Sequence, residues 1–81
     1  MGQIRDENLL KKIAVRVKEL RESKGISQEV FFIDTGIHIG RIETMKVNLS
    51  VSTLSHLCNY FEISLTDFFK EIEKSNSYKK K

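Results

Sequence analysis

The sequence predicts an all-α protein, a compact bundle of five helices. Three observations predict it. The chain contains no proline, so no segment is barred from a helix interior. Apolar residues recur three and four apart, which is the helical period and not the alternation of a strand. Short polar stretches with capping residues separate the periodic segments, leaving room for brief connections. At 81 residues one small domain is expected, of a size that buries only about 60% of its unfolded surface. Help from oligomerisation is natural for such a chain.

In the first segment Leu9, Ile13, Val17 and Leu20 fall at i, i+4, i+8 and i+11, one stripe of an amphipathic helix. Lys11, Lys12, Arg16, Lys18, Glu19 and Glu22 cover its other faces. Gly25 is a good stop, because a left-handed backbone costs glycine nothing. Ser27 follows as an N-cap for a second helix, with Glu29 favoured in the first turn by the helix dipole. Val30, Phe31 and Ile33 make that helix apolar. Thr35 is read as the N-cap of a third helix and Ser50 as that of a fourth. Leu54, Leu57, Cys58 and Phe61 then sit at i, i+3, i+4 and i+7. Ser64-Leu65-Thr66-Asp67 has the capping pattern that opens a fifth helix, and Leu65, Phe68, Phe69 and Ile72 repeat the same spacing.

Composition excludes several functions. The 14 Lys and Arg against 11 Asp and Glu give a net charge of +3, a mild bias compatible with a polyanion. Lys79, Lys80 and Lys81 account for that excess, so any basic surface must come from charge placement. Residues 75–81 are expected to be a flexible lysine-rich tail, leaving 1–74 as the domain. A single cysteine, Cys58, allows no internal disulfide and fits a reducing cytoplasm. The longest apolar run, Val30 to Ile33, is too short for a signal peptide or a membrane span. His56 and Cys58 lie two apart on a helix, face different ways and have no second cluster to complete a metal site. Cys58 falls on the apolar stripe and is read as a buried core thiol. Asp6-Glu7, Glu71 and Glu73 read as helix-end or solvated charges. No glycine-rich phosphate loop and no Ser/His/Asp arrangement occurs. Neither an enzyme nor a cofactor or small-molecule ligand is expected.

The fragments RVKELRESKGISQEV (16–30), TGI (35–37), GRIE (40–43), KVNLSVSTL (46–54) and LTDFF (65–69) occur in an order that resembles the Cro and phage-repressor helix-turn-helix family. The similarity covers roughly residues 10 to 70. It implies a bacterial DNA-binding regulator whose second helix crosses the DNA backbone and whose third enters the major groove. The chain departs from the family at the centre. His38, Ile39 and Gly40 alone separate the GI of the turn from RIE, where the family carries six residues. Phe32 stands at the fifth position of the motif, where the family prefers a small residue. Met45 replaces the family's glycine after RIE, and Leu49 its proline after asparagine. These departures imply a shortened element. The second helix is expected to end near Ile33, and Thr35 to cap the third directly. Ile39 and Ile42 would then face the core, His38 and Arg41 would share another face, and Gly36 and Ile37 would lie at the tip. A left-handed backbone at Met45 would carry strain.

Candidate DNA contacts follow: Gln28, Thr35, Gly36, Ile37, His38, Arg41, Lys46, Asn48 and Ser50. Gln28 would meet a phosphate at the start of the second helix, or would merely help cap that helix. Arg41 would read guanine O6 and N7, or pair with Glu43 or another surface acid. His38 would touch a base edge or a phosphate, or be an ordinary exposed histidine. Lys46, Asn48 and Ser50 would meet the DNA backbone, or be solvated loop. The resemblance further implies that Arg21 and Glu43 pair inside the fold. Phe68 and Phe69 are about 100° apart around a helix, so one ring should be left over. Leu65, Phe69 and Ile72 are therefore the expected homodimer interface. The expected function is a cytoplasmic, sequence-specific transcriptional regulator, a small dimeric repressor bound to double-stranded DNA. The alternative is an antitoxin-like or other protein-interaction module on the same fold.

Overall fold

The computed structural model describes residues 5–74, and all regular structure among them is helical. Five helices occur: α1 (Glu7–Ser23), α2 (Gln28–Thr35), α3 (Ile39–Glu43), α4 (Val51–Tyr60) and α5 (Leu65–Lys74). They fall into two units, Met1–Leu49 with α1 to α3 and Ser50–Lys81 with α4 and α5. The tail expected over 75–81 lies outside the described residues. None of these helices is long and apolar enough to cross a membrane.

In the first unit Asp6 opens α1, its carboxylate accepting from Leu9 N at 3.0 Å. The buried stripe of α1 is Leu10, Ile13, Ala14 and Val17, at i, i+3, i+4 and i+7. Leu9 is 38% exposed, contrary to expectation, and Leu20 is half-buried. Both stripes satisfy the helical period. The tertiary structure buries Leu10 and not Leu9.

Helix α2 differs more from its sequence reading. Phe31 alone is buried there, and its ring contributes about 2–3 kcal/mol by leaving water. Val30 and Ile33 are exposed. The helix does not stop near Ile33 but runs through Thr35. The Thr35 hydroxyl donates to Phe31 O at 2.8 Å and accepts from Ile37 N at 3.0 Å. Thr35 thus closes α2 and does not cap α3. Gly36, at φ 78°, ends the helix in the left-handed conformation, its N–H donating to Phe32 O at 2.7 Å. Helix α3 begins only at Ile39, with His38 at its N-cap and no side-chain cap bond. Ile39 and Ile42 are buried as expected.

Both α1 and α3 end in the same motif. After α3, Met45 N donates to Ile42 O at 3.1 Å and Lys46 N to Arg41 O at 2.8 Å. Two orphan carbonyls are satisfied, provided the residue between adopts a positive φ. Met45 does so at 61°, at the position where the resembled family carries glycine. Gly25 holds the matching position after α1. The Arg5 guanidinium also donates to Met45 O, tying the start of the unit to this turn.

In the second unit Ser50 caps α4, its hydroxyl accepting from Thr53 N at 3.1 Å. Leu54, Leu57, Cys58 and Phe61 are all buried. The α4 end repeats the motif of α3: Glu62 N donates to Asn59 O and Ile63 N to Cys58 O, with Glu62 at φ 59°. Nothing in the sequence reading marks Glu62. Ser64 then caps α5 by accepting from Asp67 N at 3.0 Å. Phe68 is fully buried, Ile72 is buried, and Leu65 and Phe69 are half-buried. Ile72 is therefore withdrawn from the expected dimer surface, because its side chain is already used within the protomer. Phe69 packs edge-on against Phe68 with centroids 5.4 Å apart.

Two measurements check these assignments. Met45→Gly and Glu62→Gly should each raise stability by roughly 1 kcal/mol, since each removes a left-handed side-chain penalty. A higher urea midpoint is expected for both, and an unchanged one means the strain is absorbed elsewhere. Burial also raises the Cys58 thiol above its ordinary ionisation range. Alkylation of Cys58 should therefore be slow in the native protein and speed up with urea in step with unfolding.

Candidate nucleic-acid interface

The centre of the first unit is a charge pair. Arg21, at the end of α1, donates from Nε to Glu43 Oε2 at 2.7 Å and from Nη2 to Oε1 at 3.1 Å. The Arg21 side chain is 12% exposed and that of Glu43 4%. Arg21 Nη1 also donates to Ile26 O at 2.8 Å, across the turn into α2. Hydrogen bonding to Glu43 holds the guanidinium above its ordinary pKa, against the opposing pull of burial. Glu43 accepts a third bond, from Gln28 Nε2 at 3.0 Å. One carboxylate thus collects donors from the end of α1 and the start of α2. The Arg21–Glu43 pairing expected from the sequence is present.

This arrangement answers the question left open at Gln28. Its amide does not cap α2, which Ser27 does by accepting from Val30 N at 3.0 Å, and one of its two N–H donors is spent on Glu43. A Cβ built on Gly40 would lie 2.9 Å from Gln28 Oε1. The amide therefore passes directly over the α3 backbone. A side chain at position 40 would meet the end of the Gln28 side chain and would require it to shift.

Between α2 and α3 lies an open groove of about 480 Å³. Gln28, Glu29 and Phe32 form its α2 wall. His38, Gly40 and Arg41 form the opposite wall, and Thr44 and Lys46 extend it past α3. Arg41 and Lys46 are exposed, and among the described residues neither takes part in an ion pair. Glu43, the acid considered for Arg41, is occupied by Arg21. The groove thus carries Arg41, Lys46 and His38 against one acid, Glu29. The His38 ring stacks on Phe32 with centroids 4.3 Å apart and planes 24° apart.

The remaining candidates lie outside this groove. Thr35, Gly36 and Ile37 build the turn, and the Thr35 hydroxyl is spent on backbone partners. Asn48 lies in the segment after the α3 turn, and Ser50 caps α4 in the second unit. Phe32, Glu29 and Thr44 also line the groove, although none is among the expected DNA contacts. The signal for Phe32 was available, since it lies four residues after Gln28 on one helix face. Among the described residues no group of three His, Cys, Asp or Glu side chains is placed to hold a metal. Compared with known proteins, the chain matches no family model, no curated protein and no solved structure.

The charge pair makes a direct prediction. Glu43→Ala should cost about 3 kcal/mol, because it leaves the Arg21 guanidinium largely buried without its counter-charge. Adding Arg21→Met should recover part of that loss. Urea unfolding of both single variants and the double variant closes the cycle. Strictly additive costs would mean the two side chains are not coupled.

Proposed function

We propose that this chain is a sequence-specific DNA-binding regulator in which α2 and α3 act as a shortened helix-turn-helix. The resemblance to the Cro and phage-repressor family supplies the class. The observation that carries the reading is the groove between the two helices. Its two permanent cations, Arg41 and Lys46, are solvent-facing and uncommitted to any acid. Glu43, at the end of α3, is neutralised by Arg21. A polyanion is the partner such a surface attracts. Arg41 is the base reader, through a bidentate contact with guanine. Lys46 meets phosphate, which positions without specifying. Gln28 acts chiefly by holding Glu43. The active form is a homodimer with Leu65 and Phe69 at its interface, both half-buried in the single chain.

A second reading has its own observation. Val30 and Ile33 are 45% and 71% exposed on α2, and an apolar helix face of that kind suits a protein partner, as in an antitoxin-like module.

Selection from random duplex DNA should yield a pseudo-palindrome with half-sites about one helical turn apart. On that site Arg41→Ala should cost about 1–3 kcal/mol and relax the preference at one base pair. Lys46→Ala should weaken selected and scrambled duplexes alike. It should also reduce the slope of log K against log salt by about 0.9. Titration of each variant at two salt concentrations reads both effects. No binding to either duplex at low salt would hand the case to the protein-interaction reading. Sedimentation at micromolar concentration should give a dimer, and a chain that stays monomeric even on DNA removes the interface at Leu65 and Phe69.

A further inference from the structure

Phe32 is the one exposed phenylalanine among the described residues, at 41%. It forms part of the groove wall that faces Arg41 and Lys46. The ring is not loose, because it stacks on His38 at 4.3 Å. A side chain already held in place loses little entropy when it meets a ligand. The groove therefore presents one fixed apolar plate within a rim of Arg41, Lys46, Gln28 and Thr44. A partner that fits must be anionic overall and yet offer one small apolar feature beside its polar groups. The major-groove edge of duplex DNA has that character. Its base edges carry hydrogen-bond donors and acceptors, and the C5-methyl group of thymine is the single apolar exception.

We infer that Phe32 is a specificity-determining residue that packs on the methyl group of a thymine close to the guanine read by Arg41. This rests on the DNA-binding reading above and adds a second base preference to it.

The test uses the site selected from random duplex DNA by the full chain. Each thymine is replaced in turn by deoxyuridine, which removes the methyl group and nothing else. One thymine in each half-site should weaken wild-type binding about fourfold on replacement, the effect of losing one buried methyl. Phe32→Ala should bind the thymine and deoxyuridine duplexes equally at that position, while keeping the guanine preference that Arg41→Ala abolishes. Phe32→Leu, which keeps an apolar side chain, should retain part of the thymine preference. No deoxyuridine-sensitive position with wild-type protein overturns the assignment, whatever the variants do. A deoxyuridine penalty that persists in full in Phe32→Ala also overturns it, because another side chain then reads the methyl group. Both outcomes leave the DNA-binding reading intact. Equal wild-type affinity for selected and scrambled duplexes is different: it overturns that reading and the thymine contact with it.

Discussion

The first unit depends on the carboxylate of Glu43. It is the one acceptor shared by the end of α1, through two guanidinium donors of Arg21, and by the start of α2, through the amide of Gln28. A five-residue helix such as α3 has too few internal hydrogen bonds to hold itself. It is held at its C-terminal end by this pair and at its core face by Ile39 and Ile42. A carboxylate taken out of water needs its lone pairs filled, and three hydrogen bonds fill most of that requirement. Arginine suits the position because its planar fork matches the two carboxylate oxygens and its charge persists when buried.

The short link between α2 and α3 imposes the next constraint. Gly36 is left-handed, Thr35 satisfies the backbone on both sides of the turn, and α3 starts after only three non-helical residues. So tight a reversal brings α3 close to the first turn of α2. The Gln28 amide lies over Gly40, its Oε1 2.9 Å from where a Cβ would stand. The same closeness explains why a bulky Phe32 is tolerated. The ring has moved to the groove wall and found His38 as its stacking partner. Met45 absorbs a positive φ so that the chain can leave α3 with its last carbonyls paired.

These two constraints shape the electrostatics of the groove. Because Arg21 pairs with Glu43, Arg41 is left on α3 as an exposed cation outside that pair. Lys46 adds a second, through the turn that follows α3. The bulk composition conceals this surface, since its excess of positive charge resides in the last three lysines.

Much of the local structure was legible in the sequence, because it depends on residues within one turn of each other. Asp6, Ser27, Ser50 and Ser64 each accept from an amide three residues on, and such contacts need no distant partner. The core stripe of α4 was legible for the same reason, since 3.6 residues per turn align Leu54, Leu57, Cys58 and Phe61. The strain at Met45 was legible through the family resemblance. Other choices depended on partners far along the chain. Leu9 and Leu10 fit the helical period equally, and tertiary packing buried Leu10. Val30 and Ile33 looked like core but lie on the side of α2 that nothing in its unit covers, leaving Phe31 to do the packing. Thr35 is an equally good N-cap or helix-closing residue by type, and the path of the backbone past Gly36 assigned it to α2. The target of Gln28 and the exposure of Phe32 follow from how near α3 comes to α2. Hydrogen-bonding type and periodicity, which act within a turn, were in the sequence alone; the approach of segments 15 to 22 residues apart was decided only when the tertiary structure closed.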